Sequence, residues 1–161
     1  MAETKIKRSK FALFIDTTPT GGSRTWALIG TGFTTASINY NPEVTTEGYI
    51  NQDNKSAVVE NYAPTIQIEG KAINEETVFE YIDNLRRTRA VGSDAETSIL
   101  MVYKYETPVS TDQYPAEKQP VTIAIDTYGG DAVQTLRHSF TIHFNGDPTT
   151  GLYDVSANSF A

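Results

Sequence analysis

The chain has 161 residues, which is one domain by length and enough to bury a hydrophobic core. Its 13 Lys and Arg stand against 20 Asp and Glu, a formal charge of −7 that argues against a protein built mainly to grip nucleic acid, because neutralising phosphate takes clustered cations. With no cysteine there is no disulfide framework, thiolate nucleophile or Cys-based zinc site, and no apolar run approaches the ~20 residues that span a bilayer.

In chain order, the start is basic: residues 1–10 hold Lys5, Lys7, Arg8 and Lys10 against Glu3, and the basic segment 1–9 reads as a solvated leader. The apolar stretch after it, Phe11–Ile15, is too short for a signal-peptide core, so a soluble protein made inside a cell is expected. Short runs rich in β-branched and aromatic residues, bounded by Gly, Pro, Asn or Asp, predict strands. They cover Lys10–Asp16, Thr25–Thr31, Thr35–Tyr40, Thr65–Lys71, Thr97–Tyr105, Pro120–Tyr128, Leu136–Phe144 and Leu152–Val155. Thr18-Pro19-Thr20-Gly21-Gly22 is the turn joining the first two.

Residues 41–61 fit neither strand nor helix periodicity as a whole. They are long and polar, with Val44, Tyr49, Ile50, Val58 and Val59 scattered through them and a hairpin-like tip at Asn51–Lys55. A loop of this length in a compact domain is usually functional, so it reads as a protruding arm. Glu75 to about Arg87 predicts the one helix, with Asn74 as N-cap, Val78, Ile82 and Leu85 on its apolar stripe, and Gly92 helping the chain reverse beyond it.

Two strands alternate. Val121, Ile123 and Ile125 share one face against Thr122, Ala124 and Asp126, and Leu136, His138, Phe140, Ile142 and Phe144 oppose Arg137, Ser139, Thr141 and His143. Phe11–Ile15 and Ile99–Tyr103 are instead apolar at every position, so both of their faces must be covered. With a single helix to supply cover, that surplus leans towards contacts with other subunits.

Chemistry is sparse. His138 and His143 point to opposite faces of one strand and cannot share a metal there; His138 reads as a hydrogen-bonded core histidine. Asp126 and Asp131 around Gly129-Gly130, and Asp53 beside Asn51 and Asn54, lack the alternating ligand spacing of a calcium loop. Gly30-Thr31-Gly32 lacks the rest of a dinucleotide fingerprint, and Arg86, Arg87 and Arg89 read as helix-end charges. No nucleophile, base and orienting group converge in the pattern, so no enzyme and no cofactor are expected.

Taken in order, KRSKFALFIDTT (7–18), TWALIGTGFTTASINYNPEVTTEGYINQD (25–53), VENYAPTIQIEG (59–70), VFEYIDNLRRTRAVGSDAET (78–97), QPVTIAIDTYGGDA (119–132) and TIHFNGDPTTGLYDVSANSF (141–160) resemble the major tail tube proteins of long-tailed bacteriophages of the siphovirus type. The resemblance implies a mainly β (α+β) fold: an antiparallel β-sandwich or barrel-like core with one flanking helix and a long protruding loop, in a single domain over residues 1–161. It implies hexameric rings stacked into a hollow tube around a tape-measure protein, bounded by tail-tip and tail-terminator proteins. Assembled in the host bacterial cytoplasm, such a virion tail later conducts double-stranded DNA without specific binding and without inserting itself in a membrane.

On that basis residues 41–61 are the assembly arm, with Val44, Glu47, Tyr49, Ile50, Asp53, Val58 and Val59 as contact residues, and the basic start and Ser156–Ala161 assist between rings. Acids lining the lumen would repel DNA at short range, with Glu43, Glu47, Glu69 and Asp126 as the candidates. The alternatives are a tube of a contractile tail or related injection machine and, in a different class, a carbohydrate-binding β-sandwich using the nine Tyr, although Trp26 lies in an apolar strand and reads as core.

Overall fold

The computed structural model describes residues 3–161, so Met1 and Ala2 of the basic segment lie outside the described residues. Within them the chain forms eleven strands and one α-helix. These are β1 (Phe11–Asp16), β2 (Trp26–Leu28), β3 (Phe33–Asn39), β4 (Pro42–Glu47), β5 (Ser56–Tyr62), β6 (Thr65–Lys71), α1 (Thr77–Thr88), β7 (Glu96–Tyr103), β8 (Gln113–Gly129), β9 (Arg137–Phe144), β10 (Thr149–Asp154) and β11 (Ser159–Phe160). Each expected strand has a counterpart; β4, β5 and β11 are additional, and β8 starts seven residues before the Pro120 expected from the alternating pattern.

Nine strands make one curled antiparallel half-barrel in the order β2-β1-β7-β8-β9-β6-β3, with β10 and β11 branching from β8; β4 and β5 form a separate two-stranded hairpin. The branch is possible because β8 is 17 residues long. Along one edge its first half pairs with β10 (Gln113–Lys118) and its second half with β9 (Val121–Gly129). At the fork sits Gln119, 1% exposed, whose side-chain amide donates to the carbonyls of Pro120, Asn145 and Gly146 at 3.0–3.1 Å. Those carbonyls lie where the strands diverge, and a buried carbonyl without a partner costs about 1–3 kcal/mol. Pro120, which has no N–H to offer the ladder, stands next to that gap.

The continuously apolar strands are explained here, and the lean towards subunit contacts is corrected. On one face, Leu13 and Ile15 of β1 and Ile99 and Met101 of β7 join Ile66, Ile68, Val121, Ile123, Phe140 and Ile142 in a core capped by Val78, Ile82 and Leu85 of α1. On the other, Ala12, Phe14, Leu100 and Val102 pack with Trp26, Ala116 and Tyr153. The second cover is the chain's own β10–β11 hairpin, which folds back over the sheet and is tied across to β2 by Asn158, whose Nδ2 donates to the Trp26 carbonyl at 3.0 Å. Gly151 lets the hairpin close: a Cβ there would lie 2.6 Å from both the Ala161 carbonyl and the Phe160 ring. Residues 156–161 therefore close this hairpin while residues 156–159 and 161 stay exposed.

The helix begins two residues later than expected. Its N-cap is Glu76, whose carboxylate accepts from the Phe79 N–H at 2.8 Å, not Asn74. Its C-cap is Arg89 in the left-handed region (φ 48°), and Gly92 lies beyond, in a short 3-10 turn. Expectation also missed Asp16. Fully buried, it accepts from the Thr18 N–H at 2.9 Å and pairs with Arg24 at 2.7 Å, which holds the 17–25 turn against the core.

Truncating Tyr153 to Ala removes the aromatic filler of the second core and is expected to cost on the order of 3–5 kcal/mol. Urea unfolding of freshly purified, unassembled protein measures it; an unchanged midpoint would mean that this core forms only between copies.

Candidate functional site

The hairpin β4–β5 has no core of its own, and every residue but Thr45 is exposed. Its register pairs Pro42 with Tyr62, Val44 with Val59 and Thr46 with Ala57 on one side, and Glu43 with Asn61, Thr45 with Val58 and Glu47 with Ser56 on the other, with a bulge after Glu43. Because successive side chains alternate, one face is apolar and the other carries Glu43 and Glu47. The polar face is held by its own hydrogen bonds: Asn61 Nδ2 donates to Glu43 at 2.7 Å and Thr45 Oγ1 to Glu60 at 2.6 Å. Among the described residues Val44 and Val59 are each left about half exposed. Isolated two-stranded hairpins are marginal in water, and this one leaves its apolar face open.

The root of the arm is anchored to the sheet. Asn41, at φ 44°, sends its side-chain amide to the Ala63 carbonyl at 3.0 Å, and Tyr40 meets Tyr62 edge to face at 6.4 Å. Of the expected contact residues, Val44 and Val59 share the apolar face; Glu47 and Val58 lie on the other, and Tyr49, Ile50 and Asp53 belong to the tip. The connection between the strands, residues 48–55, contains the expected tip at Asn51–Lys55, and the Gln52 N–H closes a turn at its start on the Tyr49 carbonyl at 3.0 Å.

A second surface is the uncovered half of the sheet, where β3, β6, β9 and the end of β8 turn Ser37, Gln67, Glu69, Thr141, His143, Thr122 and Asp126 away from the core. Two of the four candidate lining acids, Glu69 and Asp126, lie on this face; Glu43 and Glu47 belong to the arm. Asp126 accepts from Thr141 Oγ1 at 2.6 Å. The face also bears Lys71 and Arg137, paired across β6 and β9, so its charges balance and its chemistry is mainly that of hydroxyls and amides.

The remaining candidates resolve into structure. His138 and His143 do lie on opposite faces, but His138, 4% exposed, has no hydrogen bond to either ring nitrogen. It sits among Phe33, Phe79 and Phe140, with ring centroids 5.1–6.3 Å away, so it serves as an aromatic filler. Arg86 and Arg87 both hold Asp83, at 2.7 and 2.8 Å, and Arg86 also stacks on the Tyr128 ring at 3.8 Å. Arg8 is not solvated leader. Its guanidinium donates to the Phe11 carbonyl at 2.6 Å and to the Ala36 carbonyl at 2.9 Å, bridging the two ends of the curled sheet. Trp26 is buried in the second core. Among the described residues no cluster of three or more His, Asp or Glu is placed to hold a metal ion, and no helix is long and apolar enough to cross a membrane.

A chain in a solved structure described as the tail of an empty GTA particle, computed with helical refinement and C6 symmetry, has a similar fold, with a TM-score of 0.64. The likeness covers 90% of this chain and 98% of that one at 13% identity, and so is one of fold. No protein-family model matches the sequence, and no curated protein does.

Burial pushes the pKa of His138 down, opposed by the Lys71 backbone and by Glu76 and Asp83. A histidine whose folded pKa lies below the unfolded value of about 6.5 contributes its full stability above that pH and loses it as acidification protonates the unfolded chain. Stability of the unassembled protein is therefore expected to fall between pH 7 and 5 more steeply than in His138→Leu. Parallel slopes in urea titrations across that range would contradict it.

Proposed function

We propose that this chain is the subunit of a phage-like virion tail tube. Six copies form a ring, rings stack through the β4–β5 arm, and the hollow tube carries double-stranded DNA past a tape-measure protein, with tail-tip and tail-terminator proteins at its ends. The observation that carries the reading is the arm: a hairpin with one apolar face and no partner in its own chain, on a fold shared along nearly its whole length with a chain from a C6-symmetric tail. An apolar face that its own chain leaves in water is stabilised once a neighbour covers it, and a hairpin that meets a different surface on that neighbour generates rings and stacks.

The uncovered polar face is the proposed lining of the lumen. Its hydroxyls and amides offer no cationic cluster to retain phosphate, and Glu69 and Asp126 offset Lys71 and Arg137, so DNA slides along it without a binding register. The function needs no catalysis and no cofactor. The non-contractile form is preferred to a contractile or injection-machine tube on the sequence resemblance. The carbohydrate-binding alternative loses its best stacking residue, since Trp26 is inside.

Purified protein, concentrated at moderate salt, is expected to form hollow tubes of uniform diameter in negative stain. Replacing Thr46–Ala57 by Asn-Gly leaves Thr45 and Val58, already a cross-strand pair, flanking a two-residue turn. That variant is expected to keep its circular dichroism and unfolding midpoint and to raise the concentration needed for tubes at least tenfold. Normal polymerisation of the folded variant would remove the arm from assembly.

A further inference from the structure

The arm has to be received somewhere, and the structure offers a surface matched to its tip. The tip carries hydrogen bonds of its own: besides the turn bond, the Tyr49 N–H donates to Gln52 Oε1 at 3.3 Å, Gln52 Nε2 to Ser56 Oγ at 3.3 Å, and Tyr49 Oη to Glu47 at 2.8 Å. This leaves Ile50 at the corner wholly in solvent, an apolar knob near Glu47 and Asp53. A knob that is already ordered gives up little conformational entropy on docking. With Glu43, Glu47, Asp53 and Glu60 against Lys55, the arm as a whole is acidic.

The complementary surface lies at the seam bridged by Arg8, where the ends of the curled sheet approach one another. A cavity of about 400 Å³ opens there, floored by Phe11, Leu28, Ile29 and Phe33 and bordered by Arg8 and Lys104. No acid lines it. The grooves beside the helix differ, carrying Asp83 in one, Asp94 and Glu96 in a second and Asp126 in a third. Leu28 is 48% exposed, so this cavity has an unfilled apolar side as well as the charge opposite to the arm's. Six-residue strands carry the tip roughly 20 Å from the arm's root, out of the fold and towards another molecule.

We infer that the arm tip of one copy seats Ile50 in the Phe11–Phe33 seam cavity of a neighbouring copy, with Arg8 and Lys104 facing the acids of the arm. Tip and cavity are different surfaces, so the contact is head-to-tail and repeats without limit or closes into a ring. The inference rests on the tube-subunit reading and adds the receiving surface to it.

The cysteine-free sequence makes a clean test. Two single variants of different tag mass, Ile50→Cys and Leu28→Cys, both at exposed positions, are mixed, assembled and mildly oxidised. The expected product on a denaturing, non-reducing gel is the mixed disulfide, several-fold above either homodimer, and a chain carrying both cysteines is expected to give a ladder of covalent oligomers. Tubes in which the mixed disulfide is no more abundant than the homodimers would overturn the seating while leaving the tube reading intact. Failure of the unaltered protein to form tubes under any seeding would instead remove that reading. Should the cysteines themselves impair assembly, charge exchange decides. Lys104→Glu and Asp53→Lys are each expected to raise the concentration needed for tubes severalfold and to restore it when each is carried by both partners of the contact; a double variant no better than either single overturns the seating.

Discussion

The central constraint is that β1 and β7 are apolar on both faces. A strand in the middle of a sheet whose residues all avoid water needs two covers, and a chain of this length has one helix to give. The structure solves this at β8. By running 17 residues, β8 pairs first with β10 and then with β9, so the same strand hands the chain to both sides of the sheet. One side receives α1 and the other receives β10–β11. Gln119 fills the notch that this divergence opens, its amide donating to the carbonyls of Pro120, Asn145 and Gly146.

Once both faces of β1 and β7 are covered internally, the surfaces left open stand out. The two cores close within the chain, and among the surfaces left open are the arm's apolar face, the seam cavity and the polar half of the sheet. The first two are small and apolar and bear opposite charge; the third is broad, hydroxylated and charge-balanced. That division suits a subunit that folds alone and then polymerises through a few protruding residues.

Much of this was legible in the residues. Eight strands, the helix with its Val78, Ile82 and Leu85 stripe, the opposed histidines and a protruding arm all follow from period, turn chemistry and composition. Cap positions were less legible: Asn74 is the better N-cap by type, yet Glu76 performs the role because the backbone turns at Glu75, which has φ 66°. The adjacent Val58 and Val59 take opposite sides by simple alternation; what stayed hidden was the bulge after Glu43, where Glu60 is skipped and Glu43 pairs with Asn61. Val58 and Val59 alone cannot reveal that.

Local pattern depends on neighbours a few residues apart, so the sequence by itself determined which segments extend, which one coils, where turns fall and that two strands must be covered twice. Only the tertiary structure decided what covers them. That choice joins Trp26 to Asn158, Arg8 to Ala36 and Phe14 to Tyr153, residues separated by tens to more than a hundred positions. Whether such groups meet depends on how the sheet curls and where β8 forks. Apolar surface carries no address: it is satisfied equally by a neighbouring subunit or by the chain's own end, and here the end of the chain is the nearer partner.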